Sequence, residues 1–252
     1  MNREGLFAAV RPYAPNGRLL QEHVPLIDAV ADAFGLPKTG GVQLQLTEGD
    51  YVEAAQRLRC SVAQIKAVFE VEASGAGWFT DVRGTILALD GPGGFLDGPH
   101  LPKILFEAHV FDRETKGRFR ASHPNLSSAR WNRALYVGGQ GEYDRLYRAM
   151  SLDRIAALRS TSWGAPQIMG FNHQLAGFST VDAFVDAMKS GVRAHLLAFA
   201  AFVENSGLSD ALRRIDTSPA SARAFARGYN GSAYAENDYH TKIAVAFAKW
   251  SR

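Results

Sequence analysis

The stretch SVAQIKAVFEVEASGAG, residues 61–77, limits what this chain can fold into more than any other part of it. Ser61 and Gln64 make an S-x-x-Q capping box, which predicts a helix starting here. Ile65, Val68 and Phe69 then fall at i, i+3 and i+4, the core stripe of an amphipathic helix. The next place in that stripe, i+7, is held by Glu72. The helix must therefore carry a carboxyl in line with its apolar face. Glu70 points roughly the other way, four residues after Lys66, where an exposed ion pair accounts for it. Gly75 or Gly77 is expected to end the helix, since glycine readily takes a left-handed C-cap.

A carboxyl among apolar neighbours is poorly solvated, which disfavours the anion and raises the pKa. At a helix end that opens onto a glycine-rich loop, such a group suits a general acid. A purely structural reading also fits: Glu72 sits hydrated on a frayed last turn, or pairs with an arginine.

Composition narrows the remaining classes. The 252 residues are 46% hydrophobic and 21% charged, ordinary for a globular chain with a sizeable core in one or two domains. One cysteine, Cys60, excludes an intramolecular disulfide and a cysteine zinc site, and reads as a small buried residue. The seven histidines show no metal-ligand spacing, so neither metal nor cofactor is expected. The N-terminus lacks a basic region followed by a long apolar run. The longest strongly apolar run, near 196–203, is too short to span a bilayer. The expectation is a chain made in the cytoplasm with no integral membrane segment, acting as a monomer, and released by something else if it works outside. The net charge is +3, with residues 1–48 at −1 and residues 189–252 at +4. A mildly basic surface suits an anionic polymer. Nucleic acid is not favoured, because no zinc-finger, RRM or P-loop pattern is present.

The segments suggest an order. Residues 1–41 read as a small helical lead: one helix near 2–11, a PYAPNG turn, and a second helix to about Phe34 with Val24, Ile27, Ala31 and Phe34 on one face. KTGG (38–41) reads as a linker. Residues 42–252 form the main domain, opened by a helix capped at Thr47. Residues 78–112 break into short apolar runs split by Gly, Asp and Pro, expected to form a small antiparallel sheet. The alternation in KILFEAH sets Glu107 and His109 on one strand face. The polar stretch 115–141 reads as a long loop. Helices follow from Ser151 or Leu152 to about Thr161, from Val181 with Thr180 as cap, from Val192 to Gly207, from Pro219 with Ser218 as cap to Gly228 or Gly231, and from about Ala233 to Trp250. Helices, small sheet, helices make an α+β fold that is mainly helical.

Three polar motifs interrupt these helices: EVEASGAG (70–77), SWGAPQIMGFN (162–172) and YNGSAYAENDY (229–239). Their order resembles the lysozyme-like superfamily, in particular soluble lytic transglycosylases and goose-type lysozymes. The resemblance is closer still to the phage and bacterial N-acetylmuramidase (endolysin) family. There the pattern VES-x-G-x-G-F, PKILFE-x-H-x-F, SWG-x-x-QIMGFN and ARGYNG-x-x-Y is matched by VEASGAGWF (71–79), PKILFEAHVF (102–111), SWGAPQIMGFN and ARGYNGSAY (226–234). The likeness runs over about residues 46–250. It departs where Ala73 replaces the serine that usually follows the glutamate.

The resemblance implies a lysozyme-like domain and cleavage of peptidoglycan glycan strands at the β-1,4 bond between N-acetylmuramic acid and N-acetylglucosamine. It implies Glu72 as the acid. Ser162, Gln167 and Ile168 belong to the segment that lines the sugar cleft. Tyr229, Asn230 and Tyr234 belong to the segment that closes it. Glycoside hydrolysis generally uses two carboxylates. Glu107, beside His109, is the leading candidate for the second, with a structural salt bridge as its other reading; Asp81, Asp90 and Asp97 stay open. A single glutamate also suffices in the superfamily. Two further readings remain: a lytic transglycosylase that closes a 1,6-anhydro ring, and a non-catalytic peptidoglycan-binding protein. Burying Glu72 costs free energy without packing gain, which argues against the last. Trp131, Trp163 and Tyr143 are candidates for stacking on sugars, with Trp163 expected in the core.

Overall fold

The computed structural model describes residues 3–14, 19, 23–35, 44–72, 79–81 and 100–252. Helices α1 (Arg3–Val10) and α2 (His23–Ala33) pack on each other. On α2, Ala31 is buried, whereas Leu26, Val30 and the following Phe34 are exposed, so the face expected to unite Ala31 with Phe34 is split. The KTGG linker falls outside the described residues.

The main body begins with α3 (Glu48–Leu58) and α4 (Val62–Glu72), both opened by reciprocal capping boxes. In α3 the Thr47 hydroxyl accepts from the Asp50 amide while the Asp50 carboxylate accepts from the Thr47 amide. In α4 the Gln64 side chain serves twice. It accepts from the Ser61 amide at 2.9 Å and donates to the Arg213 and Ile215 carbonyls, pinning the helix start to a loop about 150 residues on. The expected Lys66–Glu70 pair does not form. Lys66 bonds Glu48, and Glu70 receives Lys249 and the Trp250 indole N–H. Tertiary partners from α3 and from the C-terminus outcompete the weak intrahelical pair. Cys60 is only half-buried.

Strands β1 (Phe79–Asp81) and β2 (His100–Pro102) form one antiparallel pair. Residues 73–78 and 82–99, which hold the helix-ending glycines, Asp90 and Asp97, fall outside the described residues. β3 (Ile104–Phe106) stops earlier than the alternation suggested. Glu107 begins α5 (Ala108–Glu114), so Glu107 and His109 do not share a strand face. α6 runs from Gln140 to Leu152, eleven residues ahead of the expected helix start, and Asp153 then caps α7 (Arg154–Arg159). β4 (Thr161–Trp163) and β5 (Ile168–Met169) form a hairpin that pairs with β3 in the order β3-β4-β5, all antiparallel. The SWGAPQIM motif is thus part of the sheet, not a break between helices. α8 (Val181–Ser190), α9 (Val192–Asn205), the short α10 (Ser209–Arg213) and α11 (Pro219–Asn230) follow. The last helix, α12 (Tyr239–Trp250), starts later than expected, after a 3₁₀ turn at 232–235.

Two apolar cores result. One holds β2, β3, α5–α8 and the hairpin, with Phe106, Tyr143, Trp163 and Phe184 at its centre. The other holds α3, α4 and α9–α12, with Ile65, Phe69, Phe199 and Phe225. Tyr143 and Trp163 are fully buried in the first, out of reach of any sugar. No helix among the described residues is long and apolar enough to cross a membrane.

Candidate active site

A cleft of about 540 Å³ opens where the two cores meet. Glu72, Tyr229, Asn230 and Tyr239 come from the second core's elements; Lys103, Ile104, Leu105, Gly138 and Gly139 come from the first; Pro166 and Gln167 come from the hairpin turn. Among the described residues, Glu72 is the single carboxylate in this lining.

The periodicity that put Glu72 in the apolar stripe has a direct consequence. Its residue is 8% exposed. Burial pushes its carboxyl up to about 7, opposed by one hydrogen bond from Asn230. That bond runs from Asn230 Nδ2 to Glu72 Oε1 at 2.9 Å. An N–H donor marks Oε1 as the carbonyl-like oxygen, so in the neutral acid the proton belongs on Oε2.

Asn230 and Tyr229 end α11, where a ring cluster fixes them. Tyr229 stacks on Phe225 and meets Phe199 and Phe202 edge-on or tilted. Its hydroxyl donates to the Pro166 carbonyl at 2.9 Å, tying α11 to the hairpin turn. Tyr239, at the start of α12, has its phenol raised by burial and by the nearby Glu72.

The hairpin turn is held from behind. Gln167 adopts φ +49°, a conformation that costs a residue with a Cβ about 1 kcal/mol. Its side chain offsets that. Ser162 Oγ donates to Oε1 at 2.8 Å, and Nε2 donates to the Gly164 and Lys103 carbonyls. Behind the turn, His195 Nδ1 accepts from the Ala165 amide, so the ring proton sits on Nε2 and donates to the Met188 carbonyl at 2.6 Å. Burial pushes this imidazole down to about 4, which keeps that tautomer neutral. A Cβ on Gly164, at φ +70°, would lie 3.1 Å from the His195 ring.

The opposite wall hangs on a buried ion pair. Glu142 Oε1 accepts from the Val137 and Gly138 amides, and Oε2 accepts from the Phe106 amide and from Arg145. Arg145 also donates to the Phe106 carbonyl. The pair is satisfied on every side, which is what a buried ion pair requires.

The sequence-predicted residues divide accordingly. Glu72, Gln167, Tyr229 and Asn230 meet in the cleft lining. Ser162 stands behind Gln167, and Ile168 is buried in the first core. Tyr234 packs against the second core and His240. Glu107 lies outside the lining; its Oε2 accepts from the Tyr136 hydroxyl and lies 3.2 Å from His109 Nδ1. Lys103, Tyr239, Glu142 and His195 were not singled out from sequence. Tyr239 was within reach, as the last residue of the third polar motif. For Glu142 the sole signal was its i,i+3 spacing to Arg145. Among the described residues, no cluster of His, Cys, Asp or Glu could hold a metal ion.

A model of the N-acetylmuramidase family matches residues 90–251. That span takes in the PKILFE, SWGAPQIMGFN and ARGYNG segments and begins after Glu72. Among solved structures, the crystal structure of Burkholderia AP3 phage endolysin is similar, with a TM-score of 0.67 and 32% sequence identity, over 100% of this chain and 86% of that one. No curated protein sequence matches the chain.

Proposed function

The chain belongs to the N-acetylmuramidase family, and from that premise we propose that it degrades peptidoglycan as an endolysin, cleaving the β-1,4 bond between N-acetylmuramic acid and N-acetylglucosamine with Glu72 as general acid. The observation that carries this reading is a buried carboxyl, raised to about 7, alone among carboxylates in the described lining of the cleft. At neutral pH and below, much of Glu72 holds a proton. Donation from Oε2 to the glycosidic oxygen breaks the C–O bond and leaves an oxocarbenium-like sugar and a neutral leaving hydroxyl. The resulting carboxylate keeps the Asn230 hydrogen bond, which stabilises the charge that forms. It can then take the proton from the attacking water, which restores the acid.

The lone carboxylate also favours a second reading. If the 6-hydroxyl of the muramic acid attacks in place of water, Glu72 takes that proton instead and a 1,6-anhydro ring closes. Both routes balance with one glutamate. Mass spectrometry of fragments released from purified sacculi separates them. Reducing muramic acid ends, absent with Glu72→Gln, are the expected result. Fragments lighter by one water would replace hydrolysis with transglycosylation. Equal release by Glu72→Gln would remove Glu72 from the chemistry.

A further inference from the structure

Trp131 lies outside the cleft lining, but it packs on Tyr136, two residues before the lining residue Gly138. Trp131 is 60% exposed, and Val137 nearby in sequence is 69% exposed. An indole left in water forgoes a large apolar burial. This indole is also held in place. Its ring packs against Tyr136 with centroids 6.2 Å apart and planes 48° apart. The Tyr136 hydroxyl donates to Glu107 Oε2. His109 Nδ1 lies 3.2 Å from that same oxygen. The Arg145 guanidinium sits 5.8 Å from the centre of the Tyr136 ring, and Arg145 is the buried partner of Glu142.

Glu142 holds the Gly138 amide, and Gly138 and Gly139 line the Glu72 cleft. The aromatic platform and the cleft wall therefore share one anchor. Tyr136 and Gly138 are two residues apart, at most about 7.6 Å between Cα atoms. A polymer lying in the cleft and leaving past Gly138 on this side would meet Tyr136 and the Trp131 indole packed on it.

We propose that Trp131 and Tyr136, flanked by Glu107 and His109, form an outer platform that binds an N-acetylhexosamine of the same glycan strand, beyond the residues held around Glu72. The proposal rests on the glycan-cleaving reading above. A pyranose ring turns axial C–H groups to one face, which matches the exposed indole, while its hydroxyl and acetamido groups reach the Glu107 carboxylate and the His109 ring at the platform's edge. The Tyr136–Glu107–His109 chain then serves as a recognition edge, not as a second catalytic carboxylate.

The test measures binding of N-acetylglucosamine–N-acetylmuramic acid oligomers of graded length by calorimetry, with the full chain carrying Glu72→Gln so that nothing is cleaved. Affinity should tighten with length. Adding Trp131→Ala should weaken the longest oligomer about ten-fold and flatten the dependence on length. Trp131→Phe, which keeps an aromatic face, should recover most of the loss. Equal affinity for the longest oligomer with and without Trp131 overturns the platform and leaves the cleft reading intact. No binding of any oligomer by Glu72→Gln alone defeats the glycan reading, and the platform with it.

Discussion

Glu72 stands where burial and chemistry pull against each other, and the conflict can be read out at a single residue. In the unfolded chain its carboxyl titrates near 4.5, and in the fold near 7. Between those values the native state keeps a proton that the unfolded state has lost. Its contribution to stability is therefore fully present below about pH 4.5 and is lost as pH rises through 7. Glu72→Gln removes the penalty. Thermal melts should show the variant more stable than wild type at pH 8 by about 2 to 3 kcal/mol, roughly 5 °C or more in Tm, with the gap closing at pH 4.5. Asn230 works in the other sense, because its amide favours the anion. Asn230→Ala should move the falling limb of the pH–rate profile to higher pH. Glu72 was legible in sequence because one helix period suffices to place it. Asn230 came only through the family resemblance. Lys103 was not legible as a cleft residue, since its place there depends on how the sheet meets α4 and α11.

Among elements, the β4–β5 hairpin decides the cleft's shape. Gly170 follows β5 directly, and a Cβ there would collide with the Leu158 carbonyl oxygen at the end of α7. Backbone cannot yield as a side chain can. Gly170→Ala should cost about 3 kcal/mol in urea unfolding and lower activity with it. The hairpin was not legible as a strand pair, because its partner β3 lies more than fifty residues earlier and each strand has only two or three residues. Helix α6 was hidden for another reason. Tyr143, Leu146, Tyr147 and Met150 have core spacing, but Glu142 and Arg145 among them are also buried. Charges inside a core read as surface until the backbone groups that satisfy them are known. The capping boxes at Thr47 and Ser61 were legible because they are complete within four residues.

At the scale of the whole molecule, the site is a seam between two cores, closed by contacts distant in sequence. α12 packs along α4, where Lys249 and the Trp250 indole hold Glu70 two residues before Glu72. The expectation of a separate lead at 1–41 rests on its own two helices and the linker reading, and we keep it as a proposal. The basic C-terminal quarter, residues 189–252 at +4, suits a polymer that carries peptide carboxylates. Turnover of sacculi should fall as sodium chloride rises from 0.05 to about 0.5 M, through KM more than kcat, as screening shortens the reach of those charges. A short soluble glycan oligomer stripped of its peptides, which keeps only the muramic acid carboxylates, should show less of this dependence.

The most direct measurement is the pH dependence of kcat/KM on a soluble glycan oligomer, for wild type beside Glu72→Gln. A general acid that titrates near 7 predicts a rate that falls tenfold per pH unit above about 7, and a variant slower by a factor on the order of 10² to 10⁴ with no such limb. A wild-type profile that stays flat through pH 7 to 9, or a variant that keeps both rate and limb, would contradict Glu72 as the proton donor.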